Sequence, residues 1–193
     1  MKQNLFILLS LMLSLLITFG CVKNQEQVVN SVQDNRMLIV YYSLTGNTEF
    51  VAEHIQFLTG ADIHKLELVE PYSVEFEEMI GRARQEMESG NLPELLSGID
   101  NLDDYSVIFI GSPNWFGTIS LPVLTFLNTH DLSGKLIVPF ITFGRGGLMN
   151  TISDLKELYP DANIFEEFGI YRDDVEKSQS DISEWLNRLG IIE

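Results

Sequence analysis

The sequence predicts an α/β domain in which a mostly parallel sheet is covered by helices on both faces. From Met37 onward, short apolar runs alternate with stretches of helical periodicity. Such alternation builds parallel sheets through helical crossovers, and right-handed crossovers make the topology doubly wound. Three of the apolar runs also end abruptly in hydroxyl- or glycine-rich turns. In sheets of this kind ligands lie beyond the carboxyl ends of the strands.

Each element follows from its pattern. Residues 37–42 (MLIVYY) form the first strand. Residues 48–59 place Phe50, Val51, Ile55 and Leu58 near one face of a helix. Residues 62–68 (DIHKLEL) alternate as a half-exposed strand does. Helical spacing returns at 74–88 with Phe76, Met79, Ile80, Ala83 and Met87, and 91–104 is a loop with Pro93 and several acids. The run 105–111 (YSVIFIG) is a strand ending at Ser112-Pro113. A helix follows at 121–129, with Pro122 tolerated in its first turn. Residues 135–143 (KLIVPFITF) form the fourth strand, 148–158 a helix, 163–170 the fifth strand and 175–189 the last helix.

The first 20 residues are different material. Lys2 precedes an almost wholly apolar stretch at 5–19, then Gly20, the pattern of a secretory signal. Cys21 is the only cysteine, so no internal disulfide can form. Thr18-Phe19-Gly20-Cys21 resembles a bacterial lipobox, which implies a lipid on Cys21; the alternative is a cysteine that merely follows a signal peptide cleaved elsewhere. Residues 22–36 are polar and aperiodic and read as a flexible tether with a span of ~20 Å. The expected organisation is a signal peptide at 1–20, a lipidated cysteine and tether at 21–36, and one domain at 37–193. The expected location is the cell-envelope membrane, facing outside the cytoplasm.

The formal net charge of −16 argues against nucleic acid, whose binding rests on neutralising phosphates with Lys and Arg. It suits basic protein partners. The three histidines, His54, His64 and His130, are not at metal-ligand spacing, and neither a metal site nor a catalytic constellation emerges.

Three loops carry the chemistry. Ser43-Leu44-Thr45-Gly46-Asn47-Thr48 sets hydroxyls, an amide and free backbone N–H groups at a helix N-terminus, a site suited to a phosphate. It lacks the Gly-Lys-Ser/Thr of a P-loop, which argues against ATP or GTP hydrolysis. An ordinary helix cap would look similar. Pro113-Asn114-Trp115-Phe116-Gly117 puts two aromatics in a loop, where they can stack on a flat ring or plug the sheet end. Thr142-Phe143-Gly144-Arg145-Gly146-Gly147 frees the backbone to wrap a ligand edge, or is a plain turn.

In this order the loops resemble those of the flavodoxin family. Ser43–Thr48 looks like its FMN phosphate loop, and Ser112–Thr118 like the ring-binding loop of the branch with a Trp-Trp-Gly version, Phe116 standing for the second Trp. Residues 139–142 leading into the glycine turn look like the second ring-binding loop. The resemblance implies a five-stranded sheet in the order 2-1-3-4-5 and FMN as cofactor. Ser43, Thr45, Gly46, Asn47 and Thr48 would hold the phosphate, and Trp115 and Phe116 would flank the isoalloxazine. Leu44, Pro113, Asn114 and Gly117 would also touch the cofactor, and Thr142, Phe143, Gly144, Gly146 and Gly147 would line the ring's rim, with Arg145 facing the ligand or solvent. An electron carrier serving redox partner proteins is the expectation. A quinone or flavin reductase driven by NAD(P)H and a cofactor-free binding module remain as alternatives. Acidic surroundings would push the flavin potential down.

Overall fold

The computed structural model describes residues 36–193. The signal, Cys21 and the tether up to Asn35 lie outside the described residues. Arg36, counted above with the tether, is pinned to the domain edge. Its guanidinium pairs with Asp62 (2.8 Å) and Asp104 (3.2 Å) and lies 4.6 Å from the centre of the Tyr105 ring.

The sheet runs β2 (Asp62–Lys65), β1 (Met37–Tyr41), β3 (Val107–Trp115), β5 (Leu136–Phe143), then β6 (Asn163–Ile164) and β7 (Phe168–Tyr171), all parallel. This is the expected 2-1-3-4-5 order, with the fifth strand in two pieces. Pro139 explains the break. In β5, Leu136 donates its N–H toward β3, to Ser106, while Ile137 accepts from Phe165 on the opposite side. By the same alternation residue 139 faces the fifth strand, and a proline has no N–H to donate there. Pairing stops after Ile137 and resumes at Phe140.

The central strands are buried on both faces, so they read as continuous apolar runs rather than alternating ones. One face is covered by α1 (Asn47–Thr59) and α5 (Gln179–Arg188), which pack on each other. Val51 and Ile55 of α1 are fully buried, worth ~1.5–3 kcal/mol each. Trp185 of α5 packs edge-on to Phe109 of β3, at 6.4 Å between ring centres. The other face carries α2 (Phe76–Ser89), α3 (Leu121–Thr129) and α4 (Thr151–Leu158). Helix α2 buries only Ala83 and leaves Phe76 and Met87 exposed.

Gly111 is the most closely approached of the described glycines. It pairs with Tyr41 on one side and Phe140 on the other. A Cβ there would sit 2.7 Å from the Tyr41 Cβ and closer still to the Phe140 ring.

A short element was not expected. β4 (Thr118–Ile119) folds back antiparallel on Asn114–Trp115 at the end of β3. The two connecting residues both have positive φ, 53° at Phe116 and 88° at Gly117. That is the type I′ hairpin pattern. Glycine adopts it freely, whereas an aromatic residue does so at a cost of ~1–3 kcal/mol.

Candidate functional site

The carboxyl ends of β1, β3, β5 and β7 open on one cleft of about 420 Å³, a size usual for small-molecule sites. Its two ends differ in chemistry.

One end is built on the start of α1. The chain leaves β1, crosses at Ser43–Thr45 and enters the helix through Gly46, which has no side chain to cap it. Among the described residues, no protein acceptor takes the backbone N–H of Asn47, Thr48 or Glu49. The Thr48 and Thr142 hydroxyls, both buried, lie 2.8 Å apart. This contact sets the helix N-terminus over the end of β5. The Asn47 amide donates to Thr45 Oγ1 (3.2 Å). Uncapped amides, a helix dipole and neighbouring hydroxyls are the donor set an oxyanion requires.

The charge of the lining points the same way. The chain has 28 acidic residues against 12 basic ones, yet no Asp or Glu among the described residues lines the cleft, while Arg145 and Arg172 do. The acidic surroundings expected from net charge are therefore not those of the cleft. Net charge sums the whole chain, and the described carboxylates sit outside the lining.

The other end is aromatic. Trp115 meets Tyr42 edge-on at 5.7 Å and Tyr72 edge-on at 5.0 Å. The Tyr72 hydroxyl donates to the Glu86 carboxylate, and Arg82 lies 4.4 Å from the Tyr72 ring centre. Burial pushes the Tyr42 hydroxyl up to about 12, and burial and Glu86 push Tyr72 higher. Both stay neutral at physiological pH and back Trp115 without lining the cleft themselves. Phe76 and Met79 of α2 also line the cleft, and Met79 packs against the same core cluster as Trp115.

Asn114 braces the two loops. Its amide nitrogen donates to the carbonyls of Leu148 (2.8 Å) and Gly147 (3.1 Å) and lies 2.8 Å from Thr151 Oγ1, while its oxygen accepts the Gly117 N–H (3.0 Å). The Gly117 carbonyl in turn accepts the Asn150 N–H at 2.8 Å.

Of the residues expected at the site, Ser43, Leu44, Thr45, Asn47, Thr48, Pro113, Asn114, Trp115, Thr142, Phe143 and Gly144 line the cleft. Gly46, Phe116, Gly117, Gly146 and Gly147 do not. Gly46, Gly117 and Gly147 shape the loops. Phe116 is 41% exposed, with Arg84 at 5.9 Å from its ring centre. Phe76, Met79 and Arg172 line the cleft without having been expected there, and Arg145, left open between ligand and solvent by its sequence, lines it too. Arg172 was within reach of sequence reasoning, because it follows the carboxyl end of the fifth strand. Phe76 and Met79 were not, since only the tertiary fold brings α2 to this edge. No group of three or more His, Cys, Asp or Glu among the described residues is placed to hold a metal ion.

A flavodoxin family model matches residues 36–189. The chain belongs to the flavodoxin family. Among solved structures it is similar to a protein described as a flavoprotein from Bacteroides eggerthii, at 29% identity and a TM-score of 0.71, over 81% of this chain and 98% of that one. A flavoprotein from Lactobacillus acidophilus, solved in complex with FMN, matches at 25% identity and a TM-score of 0.61, over 78% and 98%. A protein from Bacteroides uniformis described in the same terms as the first shares the fold at 24% identity and a TM-score of 0.71. No curated protein matches the chain.

Proposed function

We propose that this flavodoxin binds FMN in the cleft and serves as an electron carrier, exported and tethered to the cell-envelope membrane through Cys21. The observation that carries the reading is the polarity of the cleft. A cleft with no acidic lining residue among those described and with two arginines in its wall has unspent amides and hydroxyls at one end and an aromatic wall at the other. A phosphorylated planar ligand matches both ends, and the fold relative from Lactobacillus acidophilus holds FMN.

In this reading Ser43, Thr45 and Thr48 and the amides at the start of α1 hold the phosphate. Trp115 faces the isoalloxazine, and Thr142 to Gly144 follow its edge. Bound FMN supplies one- and two-electron chemistry. The protein's part is to orient the ring and keep water from the Trp115 side. The acidic exterior suits basic redox partners.

The test is the visible spectrum of the purified protein with added FMN, followed by titration. Flavin absorbance that co-elutes with the protein, with a shifted and structured band, is expected; a colourless protein that leaves FMN fluorescence unquenched would refute the reading. The reductase alternative gains one point from the structure, because Phe116 lies outside the cleft and does not crowd a second planar ligand. Steady-state NAD(P)H oxidation by the FMN-loaded protein separates it from a carrier. Globomycin-sensitive processing and labelling of Cys21 with a palmitate analogue test the anchor.

A further inference from the structure

We infer that Arg172 is a phosphate ligand of the bound cofactor, supplying a positive charge that the Ser43–Thr48 loop lacks. The inference rests on the FMN reading above and adds to it a residue from the far end of the chain.

The topology brings Arg172 to the phosphate end. Tyr171, the last residue of β7, pairs with Phe143 of β5. Arg172 therefore emerges level with Gly144, just past the Thr48–Thr142 hydroxyl contact that seats α1 over β5. The 3-10 turn it begins, Arg172–Lys177, packs against α1 and β5. Val175 anchors that turn in the core at 1% exposure. Trp115 and Met79 instead pack against the core cluster on the sheet face away from α1.

The guanidinium is also available. Its one ion pair is with the adjacent Asp173, from Nε to Oδ1 at 3.3 Å, and both side chains are more than half exposed. Such a pair is worth little and rearranges easily. The two terminal nitrogens have no hydrogen-bond partner among the described residues and can present a fork to phosphate oxygens. Arg145 lines the same cleft from the exposed glycine-rich turn, whereas Arg172 begins a turn anchored by the buried Val175.

A phosphate role and a ring or scaffold role give different ligand dependence. Equilibrium dissociation constants for FMN and for riboflavin, which lacks the phosphate, are measured on the full protein and on Arg172→Gln and Arg172→Lys. Arg172→Gln should weaken FMN about ten- to a hundredfold and leave riboflavin unchanged. Arg172→Lys should recover part of the loss, since it keeps the charge without the fork. The wild-type advantage of FMN over riboflavin should shrink at 1 M salt, and shrink less in Arg172→Gln. Equal losses for both flavins, or no loss for either, would overturn the inference while leaving the FMN site standing. Wild-type protein that binds neither flavin would remove the site and the inference together.

Discussion

Thr48 and Thr142 allow the structural and the binding role of one contact to be separated. Their hydroxyls lie 2.8 Å apart, at 1% and 4% exposure. Two hydroxyls have two protons; one is spent in the mutual bond, and the other is free for an anion. Thr48→Val keeps the shape, removes one hydroxyl and leaves the Thr142 hydroxyl buried without this partner. An unsatisfied buried hydroxyl costs about 1–3 kcal/mol, a fall in Tm of about 2–12 °C for a domain of this size. Thr48→Val/Thr142→Val replaces both partners with apolar groups, which is nearly neutral, so most of the lost Tm should return. Phosphate binding should not return. Loss of a hydrogen bond to a charged group, about 1.5–3 kcal/mol, predicts FMN binding about 10- to 150-fold weaker in both variants. Differential scanning fluorimetry of the flavin-free protein and fluorescence titration with FMN read the two quantities independently. If the double variant regains stability and FMN affinity together, the pair is scaffold and the phosphate assignment fails.

Trp115→Leu should weaken FMN and riboflavin alike, by about tenfold, because it removes ring contact rather than phosphate contact; a loss confined to FMN would contradict the two-ended cleft. Gly111→Ala should destabilise the domain by at least ~1–3 kcal/mol, since its Cβ would crowd both Tyr41 and the Phe140 ring between adjacent strands, and urea unfolding would show an unchanged midpoint if the approach is looser than described. Burial lowers the pKa of His64, whose Nε2 is buried without a partner, and His130 adds to the effect. The folded state thus favours the neutral ring: its contribution is full above the unfolded value of about 6.5 and is lost as pH falls through the lowered folded value. His64→Leu should flatten that acid limb in Tm measured against pH, and an identical limb would clear His64 of the effect. Arg145→Gln should lower the potential of bound flavin by tens of millivolts, because a cation beside the cleft favours the more negatively charged reduced form; a redox titration showing no fall would place Arg145 in solvent rather than over the site.

Parallel central strands were legible because burial on both faces leaves uninterrupted apolar runs such as Leu38–Val40 and Val107–Ile110. The helix after each run was legible from its period, α1 and α3 almost to the residue. Irregular pieces were less so. The break in the fifth strand is caused by Pro139 in the strand beside it, and a residue's partner across a sheet is not written in its own neighbourhood. β4 was hidden because Phe116-Gly117 is a poor sequence signal for a type I′ turn, which Asn-Gly and Asp-Gly dominate. At the site, residues on the turns after β1, β3 and β5 were found from their own loops. The contribution of α2 depends on how a weakly buried helix leans across the sheet end, and no local pattern records that.

The strained turn and the charge of the cleft together bear on how the site is kept ready. Phe116 holds an unfavourable φ of 53°, and the hairpin it closes is fastened at several points. Asn114 ties it to the 147–151 segment, the Asn150 N–H reaches the Gly117 carbonyl, and Thr118 bonds to Asp154. Strain of this kind persists only where the surroundings over-determine it, so the hairpin that positions Trp115 is held by the protein before any ligand arrives. The same holds electrostatically. At physiological salt a charge is screened beyond ~8 Å, so exterior carboxylates act on an approaching partner more than on the cleft, whose own lining is cationic. An acidic chain can thus attract a basic partner at long range and still present an anion site at short range, and the two demands fall on different residues.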